Sequence, residues 1–237
     1  MLPEFVQYFL FIGMVAFMFL LRLDAKRFSA AEWDTQDGDW RVWLMRVSWY
    51  AAGVAFALII FALHPSPVAE INLQLGPDRG EAMVYVLLFG GACIVAAFIL
   101  AVLRHGRISL PAPGRYPGGV LTAVGTAFFD EWLFRGVLLG LLLTLGLPDW
   151  LAVVSAAFIY AFTVRAGTGS RGIFTFGLWL AIGLIAGVLT ITTFGIAAAF
   201  VGHAITRFAL FMVMGPPERA AVEQVHKPTG GTGDEGA

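Results

Sequence analysis

Long apolar stretches recur along the chain, separated by short polar segments: Phe5 to Leu21, Val47 to Leu63, Ala82 to Leu103, Gly118 to Gly146, Trp150 to Val164, Gly172 to Ile191 and Gly195 to Met214. Each approaches the length a helix needs to cross ~30 Å of hydrocarbon. About seven spans are therefore predicted, and the expected fold is an all-α, polytopic transmembrane bundle. The fifth run is short for a perpendicular crossing, and only Thr192, Thr193 and Phe194 separate the sixth from the seventh. One of these is expected to be bent or partial.

Lys and Arg are retained on the cytoplasmic side during insertion, so their placement gives an orientation. The first connection holds Arg22, Lys26, Arg27, Arg41 and Arg46, the third Arg104, Arg107 and Arg115, and the fifth Arg165 and Arg171. The second has only Arg79, and the fourth and sixth have none. This alternation predicts an outside N-terminus and a cytoplasmic C-terminus, and suits a bacterial inner membrane. Residues 1–214 read as a single transmembrane domain. The tail from Gly215, rich in Pro, Gly and polar residues, reads as a flexible cytoplasmic extension.

Composition agrees: 59% of the 237 residues are hydrophobic and 13% charged, against roughly 25% charged in a soluble domain. Fifteen basic residues against 16 acids leave no surplus for nucleic acid. The one cysteine, Cys93, rules out an internal disulfide and reads as a small buried hydrophobe. The first apolar run lacks a basic flank and a small-residue cleavage site, so it is expected to be a retained helix. Trp40, Trp43 and Trp150 suit the interfacial belt, and the Gly-spaced run GIFTFGLWLAIGLIAG would let helices approach closely.

Asp130, Glu131 and Arg135 lie in the middle of the fourth run, too deep to be interfacial. An ionisable residue at that depth costs ~2.5 to 3.5 kcal/mol on insertion scales, so it faces the bundle interior, pairs, or lines a wet cavity. Glu131 and Arg135 are four apart and share a helix face. His203 and Arg207 repeat the spacing in the seventh run. Arg207 needs an anion at depth, and the only deep acids are Asp130 and Glu131, so the fourth and seventh helices are expected to pack together. A neutral ion-pair cluster that fixes two helices accounts for these residues. So does a polar cavity where a carboxylate and a histidine activate water, or a proton path in a transporter.

DEWLFRG, with FF before it and VLLG after, resembles the first motif of the CAAX-protease and bacteriocin-processing (CPBP, or Abi) family: two glutamates, three residues and an arginine, commonly ending Phe-Arg-Gly. Asp130 stands at the first Glu position, while Glu131, Phe134, Arg135 and Gly136 match. GHAITRF resembles the last motif, with His203 matching and Arg207 replacing the usual Asn. The middle motif, Phe, three residues and His, has its counterpart in FIYAF, which puts Phe162 at the histidine position. The resemblance runs from about Gly118 to Met214. It implies an intramembrane glutamic endopeptidase that needs no cofactor and acts on lipid-modified or membrane peptides. Asp130 would be the base, Glu131 and Arg135 its supporting pair, and His203 an oxyanion donor. With three altered positions, the alternative is an inactive relative serving as scaffold or adaptor in a larger membrane complex. Proton-linked transport is a second alternative. Membrane lipids are partners in every case.

No metal is expected, since Arg135 and Arg207 would oppose a dication among Asp130, Glu131 and His203. His64 and His105 lie at span ends with no second ligand at metal spacing and read as interfacial polar residues; His226 falls in the tail. RYPGG, Arg115 to Gly119, is a loop-to-helix punctuation or a cytoplasmic gate. Ser29 to Trp43, acidic and aromatic, is expected to connect along the membrane surface.

Overall fold

The computed structural model describes residues 3–30, 40–64, 73, 74, 76, 78–105, 110–168 and 172–214. Each predicted run is helical. The helices are α1 (Glu4–Leu23), α2 (Trp40–Leu63), α3 (Arg79–His105), α4, α5 (Asp149–Thr168), α6 (Ile173–Thr192) and α7 (Ala197–Met214). The fourth, α4, is continuous through three segments: α-helix Tyr116–Asp130, π-helix Glu131–Leu138 and α-helix Leu139–Thr144. No strand occurs among the described residues. The all-α bundle is integral to the membrane. Five helices, α1, α2, α3, α5 and α6, are long and apolar enough to cross on their own. The apolar part of α7 is shorter, and α4 carries three charges.

The helix ends differ from the apolar runs in instructive ways. The fifth run extends to 20 residues once Asp149 and the turn through Thr168 are included, so it is not short. The first run does not stop before Arg22, because the helix continues through Leu23. Arg22, read as a cytoplasmic loop charge, is in fact buried at 1% exposure. Arg46 is likewise inside, its Nε donating to the Ser29 carbonyl at 3.0 Å. Lys26 and Arg27 remain exposed in the first connection, and Arg41 in the opening turn of α2. Between α6 and α7 the chain turns at Phe194, whose φ of 51° permits a connection of four residues. Arg115 to Gly119 forms the end of a 3-10 turn and the start of α4, with Pro117 in the first turn. Trp40, Trp43 and Trp150 are exposed in opening turns of α2 and α5. Residues 215–237, with His226, and residues 31–39 lie outside the described residues, as does the side chain of His105.

Lipid offers helices no hydrophobic incentive to associate, so close backbone approach and polar contacts position them. Gly183 and Gly187 of α6 lie against Ala157 and Val153 of α5; a β-carbon at either glycine would come within about 3 Å of those residues. Gly177, in the same run, meets nothing. At the far end of α5, Gly167 lies under the carbonyl of Arg22, where a β-carbon would be 2.6 Å from that oxygen. This approach seats the end of α1 on α5 and brings Arg22 inward. Trp49 of α2 donates to the Leu21 carbonyl at 2.9 Å and stacks on Phe129 of α4 at 4.6 Å, so α1, α2 and α4 are tied at one level.

Candidate functional site

Asp130 closes the first α segment of α4 and Glu131 opens the π segment. A π turn carries more residues per revolution than an α turn and recurs at functional sites. Here it covers the whole EWLFRGVL stretch, with Glu131, Leu133, Phe134, Arg135, Gly136 and Val137 all buried. Gly136 leaves room for Leu73, which reaches in from the α2–α3 connection.

The structure brings Asp130, Glu131, Arg135, His203 and Arg207 together, all fully buried. Arg207 finds its anion in Asp130, Nη2 to Oδ2 at 2.9 Å, across the α4–α7 packing. Asp130 is also gripped by Arg22, with Nε 2.5 Å from Oδ1 and Nη2 3.2 Å from Oδ2. Both oxygens of Asp130 thus answer to guanidinium groups.

Glu131 has a different environment. Its Oε1 lies 2.6 Å from His203 Nδ1 and 3.3 Å from Arg135 Nη1. Its Oε2 is buried without a hydrogen-bond partner. The neighbours of His203 fix its tautomer. Arg207 Nε can only donate and points at Nε2 from 3.0 Å, so that nitrogen accepts and Nδ1 carries the proton given to Glu131. The Tyr160 hydroxyl lies 3.3 Å from the same Nε2. Both ring nitrogens are therefore engaged, and His203 has no N–H left for an oxyanion.

Aromatic faces carry the remaining guanidinium surfaces. Arg135 lies 4.3 Å over the ring of Tyr160, and Arg207 lies 4.7 Å over the ring of Trp179. Such contacts are strongest where water is excluded.

Three of these residues escape a reading of the sequence. Arg22 was masked by its position at the end of an apolar run, although Leu23 beyond it signals that the helix continues. Tyr160 and Trp179 are polar-tipped aromatics inside apolar runs. The signal for Tyr160 is that it shares a helix face with Ala157, Ala161 and Val164, all buried. Phe162 is on the opposite face: it is 57% exposed and packs on Phe176 at 4.9 Å. The position given to the middle histidine by the motif therefore faces away from the charged centre, and Tyr160 occupies the inward place.

His64, just past the end of α2, is buried, held edge-on by Phe11 at 4.7 Å and Tyr8 at 5.7 Å. Cys93 is half-buried. No group of three or more His, Cys, Asp or Glu side chains suited to a metal occurs among the described residues. Two apolar cavities border α7. One, of about 420 Å³, opens between α3, α4 and α7 beside Phe98, Val120 and Phe208. The other, of about 330 Å³, lies between α3, α6 and α7 beside Cys93, Phe174 and Thr206.

Residues 112–209 match the family described as Type II CAAX prenyl endopeptidase Rce1-like. The match includes every member of the charged centre except Arg22. Comparison with curated proteins and with solved structures gives no match.

Proposed function

We propose, from the premise that residues 112–209 are a CAAX-protease-like segment of an integral membrane protein, that this protein is an intramembrane endopeptidase whose water-activating carboxylate is Glu131. One observation carries the reading: Glu131 is the acid of the centre with an oxygen to spare, while Asp130 is held at both oxygens by arginine. A general base must keep a lone pair for the proton it takes.

In this mechanism Glu131 Oε2 removes a proton from water as the oxygen attacks the peptide carbonyl carbon. His203 holds Oε1 and orients the carboxylate. The tetrahedral oxyanion faces Arg135 Nη2, which has no hydrogen-bond partner, while Nη1 stays paired with Glu131 Oε1. Collapse breaks the C–N bond, and the proton returns from Glu131 to the leaving amine. Asp130 orients Arg207, which in turn fixes the tautomer of His203. The apolar cavities along α7 suit the hydrocarbon of a lipid-modified or membrane peptide. The alternation of Lys and Arg along the sequence keeps the N-terminus outside and the C-terminus cytoplasmic, in a bacterial inner membrane.

The double grip on Asp130 favours a second reading, in which the centre only holds the bundle and the protein is a scaffold in a membrane complex. Membrane proteomics of a deletion and of a folded Glu131→Gln variant separates the two. A shared uncut precursor supports hydrolysis. Wild-type behaviour of the variant, with a membrane complex depleted only in the deletion, supports the scaffold.

A further inference from the structure

Two pairs, each four positions apart on one helix, surround the carboxylate of Glu131. On α4, Glu131 Oε1 lies 3.3 Å from Arg135 Nη1, and on α7, His203 Nε2 lies 3.0 Å from Arg207 Nε. Each pair is carried by its own helix. Tyr160 of α5 touches both: its hydroxyl is 3.3 Å from His203 Nε2, and its ring centre is 4.3 Å from the guanidinium carbon of Arg135. His203 Nδ1, 2.6 Å from Glu131 Oε1, closes a circuit of four side chains from three helices.

The Tyr160 ring is itself held. It meets Phe134 edge-on at 5.2 Å, His203 at 6.0 Å and Trp179 at 6.4 Å. Gly183 of α6 leaves space for its edge, since a β-carbon there would come 3.1 Å from Tyr160 Cδ1. The side chain is completely buried. Packing that locks a supporting side chain is what keeps reacting groups to within a fraction of an ångström.

The hydroxyl is harder to explain by packing. A neutral imidazole has one acceptor nitrogen, and Arg207 Nε already donates to it from the shorter distance. A phenyl ring would fill the same space, keep the contact with Arg135 and bury no polar atom, so the shared bond adds little to stability. It does tie the imidazole to α5. The contact with Arg207 cannot, because Arg207 shares α7 with His203.

We propose that Tyr160 is a positioning residue for the Glu131 base: its hydroxyl sets the rotation of His203, its ring seats Arg135, and together they hold Oε1 so that Oε2 stays free for water. The proposal rests on the hydrolysis reading. It gives α5 its part in the site through Tyr160, while Phe162, two residues further on, faces away.

The test measures kcat and KM in proteoliposomes on an internally quenched peptide bearing an S-farnesyl cysteine, one instance of the lipid-modified class, alongside the thermal unfolding midpoint in detergent. Tyr160→Phe removes the hydroxyl alone. It lowers kcat by about tenfold, leaves KM within about twofold and does not lower the midpoint. Tyr160→Leu also unseats Arg135 and lowers kcat by about a hundredfold, the cost of a displacement of about 1 Å, with a lower midpoint. A Tyr160→Phe variant that melts earlier but turns over as wild type does would have lost a hydroxyl that only holds the bundle, and that result overturns the proposal. A raised KM at constant kcat overturns it too, because it marks uniform binding. Glu131→Gln keeps the two readings apart. If wild type cleaves no faster than Glu131→Gln, the hydrolysis reading fails and the positioning role falls with it. If Glu131→Gln is inactive and Tyr160→Phe matches wild type, only the positioning role is lost.

Discussion

Arg22 Nε lies 2.5 Å from Asp130 Oδ1, joining α1 to α4 across 108 positions of sequence. Removing one partner of a buried pair costs about 3 to 5 kcal/mol, because the other charge stays behind unpaired. Since Arg207 still holds Oδ2, Arg22→Ala is expected at the lower end of that range. Thermal unfolding in detergent reads it. An unchanged midpoint would show that Arg22 does not reach Asp130.

Glu131→Gln keeps the shape of the side chain and removes the base. Cleavage is expected to fall by at least about a hundredfold, the range of general base catalysis, with the helical signal by circular dichroism retained. Asp130→Asn is expected to lower stability more than Glu131→Gln does, because it strands two arginines rather than one. If a folded Asp130→Asn variant loses cleavage while Glu131→Gln keeps it, the roles of the two acids are the reverse of those proposed.

Phe162→His tests the outward face of α5. Its side chain meets Phe176 and lipid, not the charged centre, so it restores no histidine to the site and leaves turnover as it was. Tyr160→Leu, by contrast, removes both the hydroxyl at His203 and the ring under Arg135, and is expected to cost about 1 to 3 kcal/mol of stability. A gain of cleavage in Phe162→His would place that side chain inward and refute the packing of α5.

Gly167→Val puts a branched side chain where the Arg22 carbonyl already sits. The end of α1 must then lift away from α5 and draw Arg22 off Asp130, at a cost of about 1 to 3 kcal/mol. Combining it with Arg22→Ala is the informative measurement. If the two act through one contact, the double variant loses less than the sum of the singles, and simple additivity would mean they are unrelated.

The bundle and the core of the site were legible because burying a charge in lipid is expensive. Asp130, Glu131, Arg135, His203 and Arg207 stand out against an apolar background, and the need of Arg207 for an anion brings α7 to α4. Arg22 was not legible in the same way. A charge at the end of an apolar run satisfies the rule for loop charges and the rule for buried ones equally, and only the Gly167 contact, 145 residues further along the chain, decides between them. Tyr160 carries no charge to betray it. The outward direction of Phe162 was not legible because motif spacing fixes a position along α5 but not the rotation of that helix, which is set by Gly183 and Gly187 of α6. The π segment is hidden from hydropathy altogether, since widening a helix leaves its composition unchanged.

The reach of Arg22 into the centre bears on how such a protein can be cut and joined. Residues 112–209 carry the motifs, yet one of the two clamps on Asp130 comes from a helix near the start of the chain, outside that segment. An excised segment would keep both acids, Arg135 and Arg207 but lose the Arg22 contact to Asp130. Grafting α1 from a chain without an arginine at this level would do the same. The segment is therefore not a self-contained cassette, and its chemistry would change with the helix it is paired with.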